Sequence, residues 1–94
     1  MPMIPDQLRP APEAPNQGAA IEALWWAARD DWTHAHEAAQ SDDGASAAWV
    51  HAYLHRVEGD LGNARYWYAR AGKPVPTMPL HDEWRAIAAA LLNP

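Results

Sequence analysis

The sequence predicts a small all-α domain built from helical hairpins. Apolar residues recur at helical spacing through most of residues 19–94, and turn-forming residues divide these stretches from one another. Alanine, the strongest helix former, supplies much of the apolar content, whereas phenylalanine is absent and six tryptophans are present. We therefore expect about five helices that pack closely around a few large aromatic side chains.

The N-terminal segment, residues 1–18, is rich in proline and ends in Gly18. Each proline removes a backbone N–H donor and biases the preceding residue away from helical conformation. We predict an extended or disordered arm, which Met3, Ile4 and Leu8 could dock onto the domain. The remainder, residues 19–94, is predicted to form one all-α domain.

The first hairpin is predicted to begin at Ala19. Its first helix carries an apolar stripe and should end near Arg29, at a pair of aspartates. A second helix is expected from about Thr33 to Gln40, with Asp31 as its N-cap. The run after Gln40, Ser-Asp-Asp-Gly, is a clear break in the helical pattern.

The second hairpin is predicted from about Ala45 onward. Its first helix should end at Gly59, and its second should cover residues 61–71 with Asp60 as N-cap. After a proline-bearing linker, Asp82 is expected to cap a C-terminal helix over residues 83–92. The predicted fold is thus two helix-turn-helix hairpins plus a C-terminal helix, with the proline-rich arm in front.

The two hairpins match each other in sequence. Asp31 and Asp60 are 29 residues apart, and the apolar stripes of both hairpins stay in phase under the same shift. This indicates a degenerate internal repeat. His51 and His55 correspond to Glu22 and Trp26 under that shift, so the histidine pair belongs to the second hairpin alone.

The second hairpin resembles a tetratricopeptide-like repeat. Gly59 and Asp60 stand at the inter-helix turn, and the small, aromatic and small positions that follow are Ala64, Tyr68 and Ala71. The preceding helix departs from the repeat pattern, because its expected large, apolar, small and aromatic positions fall on Ala48, His51, Ala52 and His55. The resemblance implies two tetratricopeptide-like hairpins and a protein-interaction role.

A longer pattern is similar to a family of small microbial proteins without an assigned activity. The pattern comprises His-Ala-Tyr-Leu-His-Arg from His51, followed by Glu-Gly-Asp, Asn-Ala and Tyr-Trp-Tyr. The resemblance supports the fold and the limits of the hairpin, and it implies no function.

The candidate metal ligands are His36, His51, His55 and Glu58. His51 and His55 are four residues apart on the predicted third helix, so both rings project from one face, and Glu58 continues the row. His36 could approach from the second helix if the hairpins pack side by side. Imidazoles and a carboxylate suit a divalent metal such as zinc or nickel. The same residues could instead make structural hydrogen bonds beside the core, or an acid–base site.

Other side chains are candidates for contact with a ligand or partner. Several aromatic residues lie outside the apolar stripes, and exposed aromatic residues often anchor protein interfaces. Two arginines of the second hairpin could form an anion site with a histidine. These candidates are Trp26, Trp49, Tyr66 and Trp67, with Arg56 and Arg65.

Composition excludes several classes of function. With no cysteine the chain has no disulfide, thiolate metal site or cysteine nucleophile, and its formal net charge of −5 disfavours nucleic acid as a partner. No apolar run approaches the roughly 18 residues of a membrane span, and no secretory signal stands at the N-terminus, so a cytoplasmic location is expected.

The sequence favours a non-catalytic module for protein interaction or self-association. No phosphate-binding glycine loop or serine-nucleophile motif is present, so enzymatic activity is the less favoured hypothesis. The alternative is a protein that binds a metal or small ligand, conceivably an enzyme, through the histidine and carboxylate cluster.

Overall fold

The computed structural model describes residues 3–93, so Met1, Pro2 and Pro94 lie outside the described residues. Within this range the regular structure is entirely helical, which confirms the all-α prediction. There are six helices where about five were predicted from the apolar spacing. Their bounds are α1 Pro5–Leu8, α2 Ala19–Ala27, α3 Trp32–Gln40, α4 Ala45–Val57, α5 Leu61–Ala71 and α6 Leu80–Leu92. None of the six has both the length and the apolar character that a membrane crossing requires.

The helices are arranged around α4. The first hairpin is α2 and α3, the second is α4 and α5, and the two meet through α3 and α4. Helix α6 packs across α2 and α4, and α1 packs on α6. Alanines occupy many of the contact positions, including Ala35, Ala52 and Ala64, which are almost completely buried. Small side chains let the helix axes approach closely, so this short chain can enclose α4 on several sides.

Both hairpin turns follow one backbone pattern. Asp31 and Asp60 each accept a hydrogen bond from the backbone N–H three residues on, at 3.1 Å and 3.2 Å. They are therefore the N-caps of α3 and α5, as the sequence predicts. The residue before each cap has left-handed conformation, Asp30 with φ 58° and Gly59 with φ 85°. The turns are thus equivalent in conformation as well as in sequence.

The main core lies between α2, α4 and α6. Leu24, Val50, Leu54 and Ile87 are each no more than 1% exposed. Trp84 fills the centre, and its indole Nε1–H donates to the backbone oxygen of Leu24 at 3.0 Å. A buried tryptophan needs a partner for its polar atom, and this bond provides one.

A buried ionic network ties the second hairpin to α6. Glu83 is 2% exposed, and its carboxylate accepts hydrogen bonds from Arg56 Nη1 at 2.8 Å and from the Tyr68 hydroxyl. Burial and the Glu83 charge raise the pKa of Tyr68. A buried charge is tolerated when it is paired and hydrogen bonded, so these residues fix α4, α5 and α6 together.

The N-terminal segment packs on the domain where the sequence predicts an extended or disordered arm. Leu8, at the end of α1, is completely buried in the main core. The Arg9 guanidinium lies 4.4 Å from the centroid of the Trp84 ring, and Trp25 Nε1–H donates to Ala11 O at 2.8 Å. Asp6 forms an ion pair with Arg85 of α6.

Two details of the helices differ from the sequence prediction. Helix α6 begins at Leu80, with Pro79 rather than Asp82 at the N-cap position. Pro79 has φ −59° and ψ 154°, the extended backbone that is usual at an N-cap. Val57 and Leu61 belong to the apolar stripes that predict the inward faces of α4 and α5, yet they are 42% and 53% exposed. Val57 is the last residue of α4 and Leu61 is the first of α5, so both lie at the turn of the second hairpin, where neighbouring helices do not cover them.

The packing of the N-terminal segment can be tested through Leu8. We expect Leu8→Ala to lower the free energy of unfolding by about 2–4 kcal/mol, because it leaves a cavity in the core. Ile4→Ala is the matched control, since Ile4 lies in the same segment and is 50% exposed; its effect should stay within about 0.5 kcal/mol. Urea denaturation followed by tryptophan fluorescence measures both. Equal effects of the two variants would contradict the docked arrangement.

Candidate metal centre

Three histidines meet where the two hairpins join. His36 comes from α3, and His51 and His55 come from successive turns of α4. One ring nitrogen of each lies within 4.8 Å of those of the other two. His51 and His55 are 4% and 7% exposed, and His36 is half-buried. The packing of α3 against α4 therefore brings together three of the four residues that the sequence marks as candidate metal ligands.

Glu58 takes a different place from the one expected of a ligand. Its Oε1 lies 2.6 Å from His55 Nδ1, and Glu58 itself is on the surface just after α4. A carboxylate can only accept, so Nδ1–H of His55 is the donor. In the neutral form of His55 this hydrogen bond places the hydrogen on Nδ1 and leaves Nε2 with its lone pair. Glu58 therefore orients a candidate ligand and is not grouped with the three imidazoles.

Two tryptophans hold the histidine rings. Trp32 stacks on His36 with centroids 4.7 Å apart and planes 11° apart, and Trp67 stacks on His51 at 3.8 Å and 12°. Trp32 is itself fixed across the hairpin junction, because its Nε1–H donates to Leu54 O at 2.7 Å. Trp67 was among the sequence candidates for ligand contact, whereas Trp32 was not. The signal for Trp32 was its four-residue spacing from His36, which puts both rings on one face of α3.

The surroundings keep two of the imidazoles neutral, those of His51 and His36. Burial, with smaller contributions from the nearby His36 and His55, lowers the pKa of His51 to about 4. Burial and His55 also lower the pKa of His36 below its ordinary range. A neutral imidazole has a lone pair for a metal, so the site is prepared at neutral pH without loss of a proton from these two rings.

The cluster opens into a cleft on the protein surface. The cleft has a volume of about 310 Å³, and both His36 and His51 line it. Within residues 3–93 no fully buried side-chain nitrogen or oxygen lacks a hydrogen-bond partner. His55 is the one histidine of the three whose ring is hydrogen bonded to protein there. The ring nitrogens of the other two therefore reach the cleft.

The aromatic candidates other than Trp67 lie outside the histidine cluster. Trp26 is half-buried, because His34 stacks on its ring at 4.4 Å, so it offers less surface to a partner than expected. Trp49 is half-buried between the two hydrophobic clusters, with Lys73 Nζ 4.3 Å from its ring centroid. Tyr66 is 54% exposed on α5.

The two candidate arginines do not join a histidine. Arg56 and Arg65 line one cavity of about 300 Å³, none of whose lining residues is a histidine. The Arg56 guanidinium is occupied, since it donates to Glu83 and to Met78 O. Arg65 is exposed on α5. The geometry therefore leaves Arg65 as the arginine of this pair that faces solvent.

Comparisons of the chain with protein-family models, curated proteins and solved structures give no significant match. The tetratricopeptide-like resemblance and the resemblance to small microbial proteins therefore stay predictions. What the site can do rests on its own geometry.

The lowered pKa of His51 predicts how the stability of the metal-free protein varies with pH. Below pH 6.5 the unfolded chain binds a proton at this residue, whereas the folded protein does so only near pH 4. Stability should therefore be complete above pH 6.5 and fall as the pH drops toward 4. His51→Gln should flatten this fall. Urea denaturation in the presence of a chelator, at several pH values, measures it.

His81→Gln is the matched control for this experiment, because His81 is an exposed histidine of α6. It should keep the pH dependence of the wild-type protein. If His51→Gln and wild type lose stability in parallel between pH 6.5 and 4, the account of His51 as a buried neutral imidazole is wrong.

Proposed function

We propose that this protein binds a divalent transition-metal ion, zinc or nickel, through His36, His51 and His55. The observation that carries the proposal is the meeting of three imidazole nitrogens within 4.8 Å of one another. A tetrahedral zinc ion with bonds of about 2.0–2.1 Å holds its ligand atoms about 3.3 Å apart. Small rotations of the side chains would bring three nitrogens from their present spacing to that distance.

The donor set selects the class of metal. Imidazole suits zinc, nickel, copper and iron, whereas calcium and magnesium prefer oxygen ligands. The chain has no cysteine, so thiolate ligands are excluded. Two of the three rings are neutral at pH 7 because their pKa values are lowered. Two of the three nitrogen ligands of the cluster are therefore already in the protonation state that a metal requires.

Glu58 supports the proposal from outside the ligand set. Histidines that bind metal commonly donate their second ring N–H to a carboxylate, which fixes the ring and strengthens the bond to the metal. The 2.6 Å contact from His55 Nδ1 to Glu58 Oε1 has this arrangement. Trp32 and Trp67 fix the other two rings by stacking, so each histidine has a partner that sets its orientation.

Calorimetric titration of tag-free, chelator-treated protein with Zn²⁺ and Ni²⁺ tests the proposal. We expect one ion per chain, and we expect His51→Ala and His55→Ala each to weaken binding by about 100-fold or more, since each removes a ligand. Exposed histidines provide the matched controls: His34→Ala and His81→Ala should bind as the wild type does. Glu58→Gln should weaken binding by about 10- to 100-fold.

Each result has a clear meaning. Equal affinity of His51→Ala and His34→Ala would show that the ion is held elsewhere. No heat and no rise in melting temperature on adding either metal to the wild-type protein would overturn the proposal, and the histidines would then be packing residues.

A second proposal is the interaction or self-association module. It is supported by large apolar side chains exposed on the second hairpin, among them Leu61 and Tyr66 at 53% and 54%. Light scattering should then show a molar mass that rises with concentration, and Leu61→Glu should reduce that rise. Ile4→Glu, at a comparably exposed site, is the control. A constant monomer mass at all concentrations would contradict self-association.

A further inference from the structure

The histidine cluster is open to the cleft on one side. His36 and His51 are among the residues that line the 310 Å³ cleft, and His55 is not. A metal on the three rings would therefore have the cleft in front of it and α4 behind it. The volume is at the lower end of the range for small-molecule sites, so the cleft suits a small ligand.

Three histidine ligands leave a coordination position to be filled. Structural zinc sites use four protein ligands, whereas sites that exchange ligands keep three and hold water or substrate in the fourth position. Among the described residues, no carboxylate oxygen joins the three imidazole nitrogens in their group within 4.8 Å of one another. Glu58 accepts from His55 instead. The fourth position therefore faces the cleft.

Arg70 of α5 lines the same cleft. Its guanidinium carbon lies 5.1 Å from the centroid of the Trp67 ring, and that ring stacks on His51. Arg70 and His51 thus both lie against the Trp67 ring. Arg70 Nη1 donates to the Tyr66 hydroxyl at 3.3 Å, which uses one of five N–H donors.

The net charge of the cleft depends on whether a metal ion is bound. Asp42 and Asp43 also line it, so without metal the acids outnumber Arg70 and an anion is repelled. A bound divalent ion with neutral imidazole ligands reverses the balance and makes the cleft net positive. The charges of the cleft therefore admit an anion only when the metal is present.

We infer that the metal-loaded cleft binds a small oxyanion, with one oxygen on the metal and the others within reach of the Arg70 guanidinium. Arg70 would then determine ligand specificity, because a guanidinium matches the geometry of carboxylate and phosphate oxygens. This inference rests on the proposed metal binding and adds to it the class of ligand and a residue that recognises it.

Cobalt-loaded protein tests the inference, because the visible spectrum of Co²⁺ reports its coordination. Acetate and inorganic phosphate are titrated separately into wild-type protein, so that the carboxylate and phosphate forms of the chemistry are distinguished. We expect at least one anion to change the spectrum with saturation. Arg70→Gln should weaken the binding of that anion by about tenfold or more, since a charged hydrogen-bond partner is lost, and it should leave the affinity for cobalt unchanged.

Arg65→Gln is the matched control, because Arg65 is an exposed arginine of the same helix that does not line this cleft. It should bind the anion as the wild type does. The metal-free protein, followed by calorimetry, should bind neither anion.

The outcomes separate this inference from the metal proposal. Cobalt binding with no spectral response to either anion, or an equal response in Arg70→Gln and wild type, would overturn the inference and leave the metal site standing. Anion binding that does not need the metal would also overturn it. Failure to bind cobalt, zinc and nickel alike would overturn both.

Discussion

The structure depends on the burial of α4 between four other helices. Eight of its thirteen residues are buried, and two of these are histidines. A chain of 94 residues without phenylalanine has few large side chains, so it gains a core by packing one helix on several sides with alanines in between. That arrangement places polar residues at the edge of the α4 apolar stripe in contact with α3 and α5. The histidine cluster is a consequence of this packing.

Burial of three imidazoles has a free-energy cost that the surrounding contacts offset in part. A buried polar group without a partner is unfavourable, and like charges at this spacing would repel. The lowered pKa values of His36 and His51 avoid the repulsion, because the rings stay neutral. Glu58 accepts a hydrogen bond from the His55 ring, while the other two rings stack on tryptophans and face the cleft. A metal ion would complete the coordination that these contacts leave open.

The parts of the structure that follow local rules could be predicted from the sequence, and the parts that depend on distant contacts could not. Helical spacing and the aspartate caps identified the hairpins, and the four-residue spacing of His51 and His55 set one face of the candidate site. The sequence named Leu8 as a residue that could dock the N-terminal segment. It could not show which helices bury Leu8, because that core forms far away in the chain. The role of Glu58 stayed open because spacing along a helix does not show whether a carboxylate binds a metal or accepts a hydrogen bond from a neighbouring histidine.

The site also joins the two halves of the fold. His36 belongs to the first hairpin, whereas His51 and His55 belong to the second. An ion held by all three would connect α3 to α4, and an ion that binds the folded state alone stabilises it in proportion to the logarithm of its concentration. The turns at Asp31 and Asp60 make the hairpins equivalent, but the histidine pair of α4 has no counterpart on α2. The shared turn geometry therefore makes the two hairpins alike, whereas the histidine pair, which only the second hairpin carries, lies where they meet.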